Sequence, residues 1–101
     1  MDTREHLVAV KANLRANEDN EASVLRYLYN HHLLLVPVND IPAARREEFR
    51  TLIDELRATG IGDLNRHWLI RLNEASDFGT RITALCDDAL GIVRSQRRPG
   101  D

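Results

Sequence analysis

The chain has 101 residues, of which 43% are hydrophobic and 30% are charged, and its formal net charge at pH 7 is −2. This length and composition indicate one globular domain with a small core, so we treat residues 1–101 as a single domain. The negative balance weighs against a protein that coats nucleic acid without selectivity. The single cysteine, Cys86, excludes an internal disulfide bond and a metal site made of cysteines.

The sequence carries no signal for a membrane, for secretion or for catalysis. No apolar run approaches the roughly 18 residues of a membrane span, and the charged start MDTREHLVAV lacks the apolar core of a signal peptide. We therefore expect a cytoplasmic protein that has no enzyme activity, no cofactor and no bound metal. His31 and His32 would point about 100° apart on a helix and so could not chelate together. One of them is expected to be a capping residue or a residue at the core edge.

Residues 3–16 are predicted to form a first helix. Asp2 can cap its start, and Glu5 follows three residues later in the spacing of a capping box. The apolar residues of this segment recur on one helical face: Leu7, Val10 and Leu14. This apolar stripe is thin, and an N-terminal helix that precedes the main body of a domain often serves as a dimerisation surface. We therefore expect a homodimer.

A second helix is predicted over about 21–32, with Asn20 as a suitable N-cap. The following stretch LLLVPVND (33–40) has no helical period, and Pro37 disfavours the α conformation at Val36. We therefore predict a short extended segment here, which ends in a turn.

A third helix is predicted to open at Asp40 or Ile41, with Pro42 in the first turn, where its missing N–H costs nothing. Its apolar residues share one face: Phe49, Leu52, Ile53 and Leu56. Gly60 suits the position just after the helix end, and Ile61 can fold back against the last turn.

Residues 64–92 allow two interpretations. Their apolar residues alternate at spacings of four and three, which is typical of one long helix with a coiled-coil seam. Trp68, Ile70 and Leu72 instead alternate with their neighbours as in a short strand, after which Asn73 could cap a new helix. The next part of the segment contains three residues that are unfavourable in a helix interior: Ser76, Asp77 and Gly79.

The predicted order of elements resembles that of a winged helix. The stretch LIDELRATGIGDLNRHWLIRLNEASDFG (52–79) resembles the end of a recognition helix, its glycine turn and the following strand in winged-helix regulators. With the basic end VRSQRRPGD (93–101), residues 20–101 are similar to small winged-helix proteins of Mu-like phages and prophages.

This resemblance implies a mainly α fold with a short β element, namely a winged-helix-like domain with an extra N-terminal helix. It also implies a DNA-binding protein that regulates transcription. The alternative fold is an all-α helical bundle. The alternative function is a helical protein–protein interaction module, such as an adaptor, an inhibitor or an assembly subunit.

Three arginines of the third helix are the first candidates for contact with double-stranded DNA. Arg46, Arg57 and Arg50 fall at roughly 0°, 20° and 40° around the helix axis. From one such stripe they could reach phosphates or guanine edges in the major groove. The alternative is a solvated helix face on which Glu47 and Asp54 neutralise the stripe.

Five further arginines complete the predicted DNA-binding set. Arg66 and Arg71 flank Trp68, beside the predicted strand. Residues 94–101 are predicted to be a flexible basic tail, which could follow a DNA backbone without reading its sequence. The tail contributes the last three members of the set: Arg94, Arg97 and Arg98.

Overall fold

The computed structural model describes residues 2–17, 21–63 and 70–96. Four α-helices lie in this part of the chain: α1 (Thr3–Ala16), α2 (Glu21–His31), α3 (Arg46–Ala58) and α4 (Leu72–Gln96). Three single 3₁₀ turns join α2 to α3: Leu33–Leu35, Val38–Asp40 and Ala43–Arg45. Because the described ranges contain no strand, the predicted winged-helix-like fold with a short β element is wrong. The architecture is that of the alternative, an all-α bundle.

The start of α1 follows the prediction closely. Asp2 has extended backbone at the N-cap, and its carboxylate accepts a hydrogen bond of 2.8 Å from the Glu5 backbone N–H. This bond satisfies one of the N–H groups that a helix start leaves without a partner. The predicted face, with Leu7 and Val10 at 0% exposure, packs into the core.

The segment after α2 is not extended as predicted, because its backbone forms local hydrogen bonds. Val36 donates to the Leu33 carbonyl at 3.4 Å, and Ile41 donates to the Val38 carbonyl at 3.1 Å. Leu33 and Val36 are buried three residues apart, which matches the three-residue period of a 3₁₀ turn. The apolar run without an α period therefore reflects successive tight turns.

The predicted strand at Trp68–Leu72 is also wrong where the structure describes it. Residues 64–69 lie outside the described residues, whereas Ile70 and Arg71 are irregular and Leu72 begins α4. The helix then continues through Gly79, which costs roughly 1 kcal/mol relative to alanine. Each fully buried large apolar side chain contributes about 1.5–3 kcal/mol, so packing outweighs this cost. The buried face of α4 is formed by Ala75, Phe78, Ile82, Leu85, Cys86, Ala89 and Leu90.

The end of α3 confirms the prediction, although its start lies later than expected. Pro42 leads a 3₁₀ turn, in which Arg45 donates to its carbonyl at 2.8 Å, and the α-helix begins at Arg46. Gly60 has a φ of +85°, the left-handed conformation expected just after a helix end. Ile61 then returns to the core at 0% exposure.

Helix α4 is the element against which the others pack. It contacts α1, α2 and α3, while α3 also packs on the last two 3₁₀ turns. Ion pairs at the edges link α4 to its neighbours: Lys11 with Asp87, Arg45 with Asp88 and Arg81 with Glu55. The hydrogen bond from Arg81 lowers the pKa of Glu55. No helix in the described ranges is long and apolar enough to cross a membrane.

We predict opposite effects of two glycine-to-alanine substitutions. Gly60→Ala should destabilise the protein by about 1–2 kcal/mol, because alanine disfavours a left-handed φ. Gly91→Ala is the matched control: it lies in α4 with nothing within 4 Å of the added Cβ. This second change should stabilise the helix by about 0.5–1 kcal/mol. Urea unfolding of both variants measures the two shifts, and shifts of the same sign would contradict the assigned backbone conformations.

Candidate functional site

Two histidines meet in the interior where α1 begins and α2 ends. His6 lies on the buried face of α1, one residue before Leu7. His32 directly follows α2, where its backbone N–H donates to the Leu28 carbonyl at 3.0 Å. Each of the two histidines is only 6% exposed. Their Nδ1 atoms lie 3.0 Å apart, and the rings meet edge to face at 65°.

This distance is that of an ordinary N–H···N hydrogen bond. Such a bond requires one ring nitrogen with a proton and one without, so at least one of the two rings is neutral. Burial lowers the pKa of His32, and the neighbouring His6 and His31 lower it further. Within the described ranges, no group of three or more His, Cys, Asp or Glu side chains could hold a metal ion. The hydrogen bond between the two buried rings makes the pair a polar link inside the core.

The sequence does not predict this pair. The prediction is that His31 or His32 caps a helix or lies at the core edge, and His32 is buried. The sequence gives His6 no partner. A signal for His6 was present, because it precedes Val10 by four residues and Leu14 by eight. That spacing places it on the apolar face of α1. The contact with His32 depends on how α1 and α2 pack, which helical periodicity does not give.

An exposed apolar surface lies on the other side of the same segment. Tyr27 is 47% exposed, Leu34 is 46% exposed and Leu35 is 58% exposed, and His31 is exposed between them. We call these four residues the 27–35 surface. The Tyr27 ring lies 4.8 Å from the His31 ring and 5.6 Å from the His32 ring. The surface therefore adjoins the buried pair directly.

The three arginines predicted on the third helix have different surroundings. Arg46 donates from Nε to the Ile41 carbonyl at 2.8 Å and from a terminal nitrogen to the Asn39 carbonyl at 2.9 Å. Arg57 pairs with Asp54 at 3.3 Å. Arg50 is exposed and forms no hydrogen bond or ion pair with the described residues. Arg46 thus supports the turns before α3, and Asp54 neutralises part of the stripe.

The remaining predicted DNA contacts are only partly described. Arg71 is exposed just before α4, and Arg94 lies in the last part of α4. Arg66, Arg97 and Arg98 lie outside the described residues. The role of these five arginines therefore stays a prediction.

Cys86 faces the core from α4 at 0% exposure. Burial raises its pKa to about 12, and the charge of Asp87 acts in the same direction. The thiol is therefore protonated at neutral pH and unsuited to nucleophilic attack. Cys86 therefore acts as a small buried apolar residue.

Comparisons with models of known protein families, with curated proteins and with solved structures gave no match for this chain.

We predict that His6→Ala at pH 8 lowers the free energy of unfolding by about 1–3 kcal/mol, because it leaves a buried ring nitrogen of His32 without a partner. His31→Ala removes an exposed ring from the same region and is the control. It should change stability by less than about 0.5 kcal/mol. Thermal and urea unfolding measure both effects, and equal losses in the two variants would contradict a special role for the buried pair.

A second pair of variants compares the contributions of Arg46 and Arg50 to stability. Arg46 is bonded to the turns before α3, whereas Arg50 forms no hydrogen bond or ion pair with the described residues. Arg46→Ala should cost about 1–2 kcal/mol, because two backbone carbonyls lose a charged donor. Arg50→Ala should change stability by less than about 0.5 kcal/mol. Urea unfolding measures both changes. If Arg46→Ala were as mild as Arg50→Ala, its bonds to the preceding turns would contribute nothing.

Proposed function

We propose that this chain is a non-enzymatic helical module that acts in the cytoplasm by binding another protein through the 27–35 surface. The observation that carries this proposal is the clustering of exposed large apolar side chains. Three such side chains, Tyr27, Leu34 and Leu35, lie in one short segment. Exposed apolar clusters of this kind typically mark interaction sites.

The chemistry of this surface favours a protein partner over nucleic acid. The segment YLYNHHLLL (27–35) contains no arginine or lysine, whereas binding to a nucleic-acid backbone depends on such cations. Tyrosine is enriched at protein interfaces, where a large ring with few rotatable bonds adds contact area at low entropic cost. Leu34 and Leu35 add exposed apolar area in the same segment. The surface is therefore suited to an apolar patch on another protein.

Buried residues of the same segment fix the backbone that carries the 27–35 surface. Leu28 and Leu33 are buried under it, at 0% and 2% exposure, and His32 is bonded to His6. Side chains that are presented by a fixed backbone lose less conformational freedom when a partner binds. The packing of this segment thus supports binding without a large rearrangement.

DNA binding, as for a phage-type regulator, is the second candidate. The exposed Arg50 and Arg71 favour it, since neither forms an ion pair with the described residues. The support for DNA binding is weaker than the support for a protein partner, because Arg46 and Arg57 form bonds within the chain. A basic contact of this kind would weaken steeply with salt.

We predict that a photo-crosslinking amino acid at position 35 forms a discrete protein adduct in the cells that make this chain. The same amino acid at Glu47, an exposed position on α3, is the control and should form none. Tyr27→Ala should reduce the adduct at position 35 several-fold, because Tyr27 belongs to the same surface. Gel electrophoresis and mass spectrometry measure the adducts, and a mass of two chains would identify the expected homodimer.

Equal adducts at positions 35 and 47, or an adduct that Tyr27→Ala does not change, would contradict the proposed surface. Fluorescence anisotropy with a mixed-sequence duplex at about 50 and about 200 mM salt tests the second candidate. Binding that is lost at the higher salt and weakened by Arg50→Ala would favour DNA. Absence of binding at low salt would remove that candidate.

A further inference from the structure

We propose that the His6–His32 pair is an acid-sensitive latch. In its neutral form it ties the beginning of α1 to the end of α2. When both rings are imidazolium cations, neither Nδ1 can accept, so the contact breaks and the turn at Leu33–Leu35 loosens from α1. This inference goes beyond the proposed function and does not depend on it.

The geometry of the pair makes it intolerant of a second proton. The two Nδ1 atoms lie 3.0 Å apart, so the acceptor nitrogen has no room to bind a proton while the donor faces it. A first added proton can go to Nε2 of the donor ring and leave the bond intact. A second must go to the acceptor Nδ1, and it places two N–H groups and two positive charges against each other. Both rings are buried, where water screens such charges poorly. Separation of the rings is the simplest way to relieve this repulsion.

The surroundings offer little compensation for a positive charge on His32. Burial, His6 and His31 all act to lower the pKa of His32, and no carboxylate in the described ranges acts in the opposite direction. Tyr27 faces the ring from α2. Two acidic groups of the elements packed on α1 are engaged by α1 residues other than His6: Asp40 accepts from the Thr3 hydroxyl, and Asp87 on α4 pairs with Lys11.

The remaining charged groups at the start of α1 are Asp2, Arg4 and Glu5. The carboxylate of Asp2 already caps the helix at Glu5. Asp2 and Glu5 are exposed, so water weakens their effect on the buried rings.

The sign of the pH dependence follows from this environment. His32 has a lowered pKa in the folded chain, against an ordinary value of 6.5. Its contribution to stability is therefore complete above about pH 6.5 and is lost as the pH falls below this value. The loss should appear first in the segment that the pair holds, because His32 directly precedes the 3₁₀ turn.

Hydrogen exchange of backbone amides tests the latch. The amides of Leu35 and Val36 report on the turn, because they donate to the carbonyls of His32 and Leu33. After correction for the intrinsic exchange rate, their opening constant should rise between pH 7.5 and 5.5. The expected rise is at most about tenfold for each histidine that the folded state keeps neutral. We expect at least about fivefold in total for the wild-type chain.

Three variants show whether the histidine pair causes this rise. The double variant His6→Gln with His32→Gln cannot titrate at these positions, and its rise should stay below about twofold. His31→Gln keeps the pair and should behave as the wild type. The amide of Leu52 in α3 is the reference for opening of the whole domain. A wild-type rise below about fivefold, or an equal rise in the double variant, would overturn the proposal.

A second measurement needs no variant. At pH 8, the ¹⁵N chemical shifts of the two imidazole rings should show one protonated Nδ1 and one unprotonated Nδ1, as a shared hydrogen bond requires. On acidification, the shifts should show protonation of both rings together with exchange at Leu35 and Val36. Two rings with the same tautomer at pH 8 would overturn the latch even if the double variant failed to fold.

Discussion

The burial of one face of α4 is the constraint on which the rest of this structure depends. Phe78, Ile82 and Leu85 lie on that face, and α1, α2 and α3 all pack against the helix. Beside this buried face, α4 also carries carboxylates that form ion pairs with residues of the neighbouring elements. Asp87 and Asp88 are adjacent in sequence and point apart, so one pairs with α1 and the other with Arg45, at the end of the last 3₁₀ turn.

Local sequence signals were sufficient to predict features that depend on a single helix end. The N-cap at Asp2 and the glycine at position 60 were predicted correctly, because each acts on the backbone of its own helix end. The winged-helix interpretation failed for a different reason. It relied on an extended segment at 33–40 and on alternation around Trp68, and neither pattern excludes tight turns followed by a helix. Burial of the α4 face, which is a tertiary effect, outweighed the poor helix propensity of Ser76 and Gly79.

The candidate site was less predictable than the fold. An exposed Leu34 and a buried Leu33 have the same chemical character, and only the direction of the 3₁₀ turn separates them. The contact between His6 and His32 joins residues 26 positions apart. No local period relates such residues, so the sequence could place each on its helix but could not bring the two together. The arginine stripe was predicted from the angle around α3, which does not reveal that Arg46 turns back to carbonyls before the helix.

The segment from Tyr27 to Leu35 contributes both to the core and to the exposed 27–35 surface. One side supplies His32 and Leu33 to the core, and the other presents Tyr27 and Leu34 to solvent. A contact made on the outer side therefore acts on the same backbone that the inner side anchors. This arrangement links the surface to the packing of α1 without any separate moving element.

The pairing of Lys11 with Asp87 has a practical consequence. Lys11 is the single lysine of the sequence, and its ammonium group lies at the junction of α1 and α4. Acylation of lysine side chains, whether by an enzyme or by a reagent, is therefore directed to this one contact. Such a modification removes the positive charge and leaves Asp87 without its partner on α1. The reactivity of this lysine amine therefore reports whether α1 and α4 are in contact.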